Sequence, residues 1–238
     1  MTLSFEIVDD PARACAALMI GAAIGGGDIV LTGGSTPRTA YGHFVEAVGT
    51  VAIDLGRTTM WMGDERAVAP DDERANYRMI RESMLDPLGD NQPAMRRIKG
   101  ELGYAEGADD YERTLRDAGP PAFDLLLLGI GPDGHCASLF PNQATLSERS
   151  RMVVGVPEAG LEPFVPRISF TLPTLAGARH IVFLATGASK ADAIARAFGP
   201  GSQPDPAVPS SLLVPEAQRI TVLMDQAAAA DLQTGERR

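Results

Sequence analysis

The sequence predicts one α/β domain, residues 1–238, built on a mainly parallel β-sheet with helices covering both faces. Three observations carry this prediction. Short β-rich runs alternate with helix-length stretches along the chain, the pattern of successive βα units. One run, Leu125–Leu128, is apolar at every position and not at alternate ones, as a strand buried on both faces must be. The 238 residues, 45% of them hydrophobic, suffice for one sizeable core, and they contain no repeat, heptad pattern or low-complexity block.

Taken in order, residues 3–8 form the first expected strand, and Pro11 suits the first turn of a helix over 11–23. A strand at 28–31 leads to a helix over 38–48 that follows Pro37, and a strand at 58–62 precedes helices over 76–85 and 105–117. The central strand spans 123–128. Further strands are expected at 152–156, 180–185 and 220–224, with helices over 188–198 and 226–232. Residues 199–215, rich in Pro, Gly and Ser, predict a long surface loop and not a domain linker.

Lys and Arg number 21 against 31 Asp and Glu, a formal net charge of -10. That field repels nucleic acid and anionic membrane surfaces, so an anionic partner needs a local cationic pocket. The expected partner is a small molecule, with no nucleic acid, no membrane and no obligate protein partner. Cys15 and Cys136 stand far apart and in no metal-ligand or redox spacing, which suits a reducing compartment without a disulfide. The first ten residues show no basic-then-apolar leader pattern and no run is long enough to span a bilayer, so a cytoplasmic location is expected.

In open parallel sheets ligands bind beyond the carboxyl ends of the strands. Four polar, glycine-rich loops occupy that edge: Thr32-Gly33-Gly34-Ser35-Thr36-Pro37-Arg38, Gly63-Asp64-Glu65-Arg66, Gly129-Ile130-Gly131-Pro132-Asp133-Gly134-His135 and Thr186-Gly187-Ala188-Ser189-Lys190. The first is either a phosphate seat, with free helix N–H groups and two hydroxyls, or a capped helix after a tight turn. Lys190 starts a helix, where a cation opposes the helix dipole; it reads as a second phosphate ligand or as a solvated lysine. The third loop fits G-x-G-x-x-G, but it lies mid-chain, holds Pro132 and lacks a ribose-binding acid, so a dinucleotide is not expected. His135, directly after a buried strand and a glycine-rich turn, is placed for proton transfer, while His43 and His180 read as structural or surface groups. Asp64 and Arg66 offer either a carboxylate and a guanidinium for a developing charge or a surface ion pair. There is no G-x-S-x-G elbow, no G-x-x-x-x-G-K-[ST] loop, no H-E-x-x-H and no cysteine cluster.

From about residue 31 to 194 the chain resembles the 6-phosphogluconolactonases of the pentose phosphate pathway. The resemblance rests on Leu31-Thr32-Gly33-Gly34-Ser35-Thr36-Pro37, Gly63-Asp64-Glu65-Arg66, Ala75-Asn76-Tyr77-Arg78-Met79, residues 123–140, Arg167-Ile168-Ser169-Phe170-Thr171-Leu172-Pro173 and the loop ending at Lys190. The related glucosamine-6-phosphate deaminases typically carry D-E-Y where this chain has Asp64-Glu65-Arg66, and a glutamate shortly after the histidine where it has Cys136-Ala137-Ser138-Leu139-Phe140. Cys136 replaces the threonine usual beside the histidine.

The resemblance implies a single-domain, three-layer α/β/α Rossmann-like fold with no cofactor and no metal. It implies that Gly34, Ser35, Thr36 and Lys190, with Arg167, hold the 6-phosphate. His135 would be the general base that activates water against 6-phospho-D-glucono-1,5-lactone, without a covalent intermediate. Asp64 and Arg66 would line the lactone end, orienting the histidine or stabilising the oxyanion. Two other readings are an amino-sugar phosphate deaminase or aldose-ketose isomerase, and a non-catalytic sugar-phosphate sensor.

Overall fold

A computed structural model describes residues 2–119 and 122–232. Among them are ten strands: β1 (Thr2–Ile7), β2 (Asp28–Leu31), β3 (Thr59–Met62), β4 (Asp64–Arg66), β5 (Ala94–Arg96), β6 (Leu125–Leu128), β7 (Val153–Val156), β8 (Arg167–Phe170), β9 (Ile181–Ala185) and β10 (Arg219–Met224). Seven form one wholly parallel sheet in the order β1-β10-β9-β6-β2-β3-β5. The helices are α1 (Pro11–Ile24), α2 (Ser35–Val51), α3 (Asn76–Ile80), α4 (Asp86–Leu88), α5 (Tyr104–Asp117), α6 (Leu172–Ala176) and α7 (Ala191–Phe198), and with the sheet they make three α/β/α layers.

The central strands are where they are because nothing else could bury them. All four leucines of β6 and all five residues of β9 are buried, and removing the larger of these side chains from water is worth about 1.5–3 kcal/mol each. Helix α1 begins at Pro11, its start capped by Asp10, whose carboxylate accepts from Arg13 N at 2.9 Å. It packs against α2.

A second, smaller sheet stands beside the first, with antiparallel order β4-β8-β7. Aromatic rings weld the two together. Phe170 of β8 stacks on Tyr111 of α5 at 5.7 Å and on Phe123 at 5.4 Å, and Phe123 meets Trp61 of β3 edge-on. The expected strand at 152–156 therefore exists as β7 but lies outside the parallel sheet. Residues 64–66, read as loop, are strand β4, and β5 and β8 are strands that the hydrophobic pattern did not single out. Each of β4 and β5 is only three residues long, too short to show alternation.

Other elements differ in detail. The helix expected over 76–85 is α3 followed by a π-turn, Arg81–Leu85, and α4. Residues 226–232 form turns and a short 3-10 segment instead of an α-helix. Asp225 ties the start of that segment by accepting from Ala228 N at 2.7 Å. Within 199–215, Pro209–Leu213 is a 3-10 helix with Ser210, Ser211 and Leu213 buried, so the stretch is not wholly surface. Among the described residues no helix is long and apolar enough to cross a membrane.

Candidate active site

The loops after β2, β3, β6 and β9 open onto one cavity of about 400 Å³. The loop after β2 is fixed first. Tyr41 of α2, fully buried, accepts from Thr32 N at 3.0 Å and donates to Thr32 O at 2.7 Å. Gly34 has φ +116°, a conformation that L side chains rarely adopt, and it stands at the N-cap of α2 with no side chain capping the helix. The capped-helix alternative thus lacks its cap. The first-turn N–H groups and the exposed Ser35 face a ligand position, and Thr36 Oγ1 is tied to Thr186 Oγ1 at 2.7 Å across the cavity edge. Lys190, at the N-cap of α7, lines the same cavity and makes no ion pair among the described residues. Burial lowers its pKa, against the opposing pull of the Asp133 charge.

The turn after β6 is closed by backbone bonds from Gly131 N to His135 O at 2.9 Å and from Gly134 N to Gly131 O at 3.0 Å. Within it, Asp133 Oδ1 lies 2.6 Å from His135 Nδ1 and accepts from His135 N at 3.2 Å. Burial works to raise the Asp133 pKa, but the hydrogen bond and charge of His135 outweigh it and the net shift is downward. An ionised Asp133 selects the tautomer with hydrogen on Nδ1, which leaves Nε2 as the acceptor. Nε2 has no hydrogen-bond partner among the described residues, and the ring borders the cavity 4.8 Å from the Phe140 ring. The family motif assigns Asp133 no role of its own. The signal was present: a carboxylate two residues before a histidine in a glycine-flanked turn is close enough to reach the ring.

Asp64 and Arg66 enter from β4, and the antiparallel register sets Arg66 opposite Arg167 of β8. Asp64 is buried and makes no hydrogen bond with His135; its Oδ2 accepts from Ser138 Oγ at 2.6 Å. Arg66 donates from Nη1 to Arg74 O, while its Nε is buried without a partner. Arg167, also on the cavity, spends Nε on Val165 O at 3.0 Å and Nη2 on Pro163 O at 2.7 Å and Leu161 O at 3.3 Å. Burial, reinforced by the neighbouring Arg66 charge, lowers its pKa to about 10. Between them, Glu65 is buried, and burial lifts its pKa to about 7 despite three backbone N–H bonds.

The remaining candidates sit elsewhere. His43 lies 3.6 Å from Asp10 and 3.5 Å from Glu46, and His180 bonds Thr221 Oγ1 at 2.9 Å; neither borders the cavity. Cys136 is buried beside His135, and burial pushes its thiol up to about 12, as it does for Cys15. Among the described residues no group of three or more His, Cys, Asp or Glu is arranged to hold a metal ion.

Comparison with known proteins places this geometry. The family model described as glucosamine-6-phosphate isomerases/6-phosphogluconolactonase matches residues 7–222. A 6-phosphogluconolactonase of Synechocystis is 35% identical over 237 residues, covering 95% of each chain. The 6-phosphogluconolactonase structure from Trypanosoma brucei superposes with a TM-score of 0.78 at 26% identity, covering 97% of this chain and 98% of that one. A monomeric glucosamine-6-phosphate deaminase superposes as well, with a TM-score of 0.82 over 97% and 100% of the chains, but at 20% identity it speaks for the fold alone. The chain belongs to the glucosamine-6-phosphate isomerase/6-phosphogluconolactonase family.

Proposed function

We propose that the protein is a 6-phosphogluconolactonase that hydrolyses 6-phospho-D-glucono-1,5-lactone in the oxidative pentose phosphate pathway. One observation carries the reading: an uncapped helix start with Lys190 and a carboxylate-oriented histidine with a free Nε2 border the same cavity. The first suits a phosphate and the second suits water activation. The 35% identity to a lactonase along almost the whole chain supports the same reaction.

In this reading the 6-phosphate lies against Gly34, Ser35, Thr36 and Lys190. Neutral His135 takes a proton from water at Nε2 as the water oxygen bonds to C1, and Asp133 steadies the imidazolium from Nδ1. Arg66 stabilises the tetrahedral oxyanion. The C1–ring oxygen bond then breaks, the ring oxygen recovers the proton from His135, and the acid product ionises. General-base help of about 10²- to 10⁴-fold, with positioning, is enough for an activated ester, so the sequence of steps calls for no metal or covalent nucleophile.

The test is hydrolysis of freshly made lactone against an enzyme-free blank. Wild type should accelerate it, and His135→Ala should lose about 10²-fold or more while still being inhibited by inorganic phosphate. Full turnover by His135→Ala would remove the base role; ammonia release from glucosamine 6-phosphate would move the chain to the deaminases.

A further inference from the structure

Asn76 occupies an unusual position within the site. The residue is 3% exposed, and its side chain touches both halves of the cavity. On one side, a Cβ built on Gly33 would lie 2.0 Å from Asn76 Oδ1, so the amide fills the space that any other residue at 33 would need. On the other, Asn76 Nδ2 donates to Asp64 O at 3.1 Å and reaches Asp64 Oδ1 at 3.3 Å. Asp64 in turn holds Ser138, three residues past His135, at 2.6 Å.

Glu65 fixes where this amide sits. The residue is 2% exposed, and its carboxylate accepts from Asn76 N and Tyr77 N at 2.7 Å each and from Arg66 N at 2.6 Å. One buried group thereby ties the start of α3 to β4. Close packing of Gly33 on the Asn76 amide, followed by the hydrogen bonds Asn76–Asp64 and Ser138–Asp64, joins the phosphate loop to the histidine turn by a route that does not run through the parallel sheet.

We infer that Asn76 is a positioning residue that keeps the phosphate loop in register with the lactone end, so that binding of the phosphate aligns C1 on His135. The inference rests on the lactonase reading. Binding energy from a remote group raises the rate only if the frame between that group and the reacting atoms is stiff, and a misplacement of about 1 Å can remove about 10²-fold. Each end keeps its own chemistry without Asn76; what is lost is their coupling.

The experiment compares blank-corrected kcat/KM for 6-phosphoglucono-1,5-lactone and for unphosphorylated glucono-1,5-lactone, with inorganic phosphate as competitive inhibitor. For Asn76→Ala the preference for the phosphorylated lactone should fall about tenfold or more. The phosphate inhibition constant and the rate on the unphosphorylated lactone should each change by less than about threefold. Asn76→Asp, which keeps the volume but sets an acceptor against Asp64, should show the same split. An unchanged preference, equal losses on both lactones, or weakened phosphate inhibition would overturn the inference, as would failure of both variants to fold. A wild type that accelerates neither lactone would instead end the lactonase reading itself.

Discussion

The two sheets reach rigidity by different means. The parallel sheet is held by burial: β2, β6, β9 and β10 present almost uninterrupted buried apolar residues, and the loops beyond them inherit fixed starting points. The antiparallel sheet is short and polar, and charged or hydroxyl groups such as Asp64, Glu65, Arg167 and Ser169 are buried in it. Its order depends on named hydrogen bonds and on the aromatic weld through Phe170. The cavity lies where the two meet. The large sheet supplies a histidine and a helix start whose positions are set by the core, and the small sheet supplies charges whose directions are set by polar partners.

The sharpest way to break this contrast is in the turn after β6, where the backbone of Gly131 packs against the His135 ring. A Cβ on Gly131 would lie 2.0 Å from His135 Nδ1 and 2.5 Å from Asp133 Oδ1. Gly131→Ala should displace the pair and lower kcat by about 10²-fold or more, with the circular dichroism spectrum intact. A variant that keeps near-normal turnover would mean that the turn has slack the core does not remove.

A smaller effect is expected from the antiparallel sheet. Arg167→Met removes three hydrogen bonds to the carbonyls of residues 161–165 along with a buried cation. Because Nε and Nη2 face that segment, the change should lower kcat/KM for the phosphorylated lactone by about fivefold to tenfold and leave inhibition by inorganic phosphate in place. Loss of that inhibition would put Arg167 among the phosphate ligands, as the family resemblance implies.

The same contrast governed what could be read from the sequence. Runs such as Leu125–Leu128 announce themselves because burial on both faces leaves only apolar residues, and the glycine-rich loops follow from where such strands end. Strands β4 and β8 carry Asp-Glu-Arg and Arg-Ile-Ser-Phe, and their buried Asp64 and Ser169 both find a partner far away in sequence, Ser138. No local pattern records such a pairing. The same limit hid Asn76: its role depends on the empty Cβ position of Gly33, which is 43 residues earlier in the chain. The helix expected over 226–232 shows the converse, a local apolar pattern that ends as turns and a short 3-10 segment whose start is tied by Asp225 to Ala228 N.

The smallest predicted effect belongs to the parallel sheet at the edge away from the cavity. His180 precedes β9, and burial, followed by the charge of Arg219, lowers its pKa from 6.5 to about 4. Between those values the folded protein binds fewer protons at this site than the unfolded chain, so stability rises with pH across the window and is lost as pH falls from 6.5 toward 4. His180→Asn removes that titration. The urea midpoint should then vary less between pH 6.5 and 4, while turnover at neutral pH stays at the wild-type level. An altered rate on the phosphorylated lactone would mean that strain at the far edge of the parallel sheet reaches the cavity, and that its burial does not isolate the site. An unaltered rate with a flatter pH profile would show that His180 bears on stability without reaching the cavity.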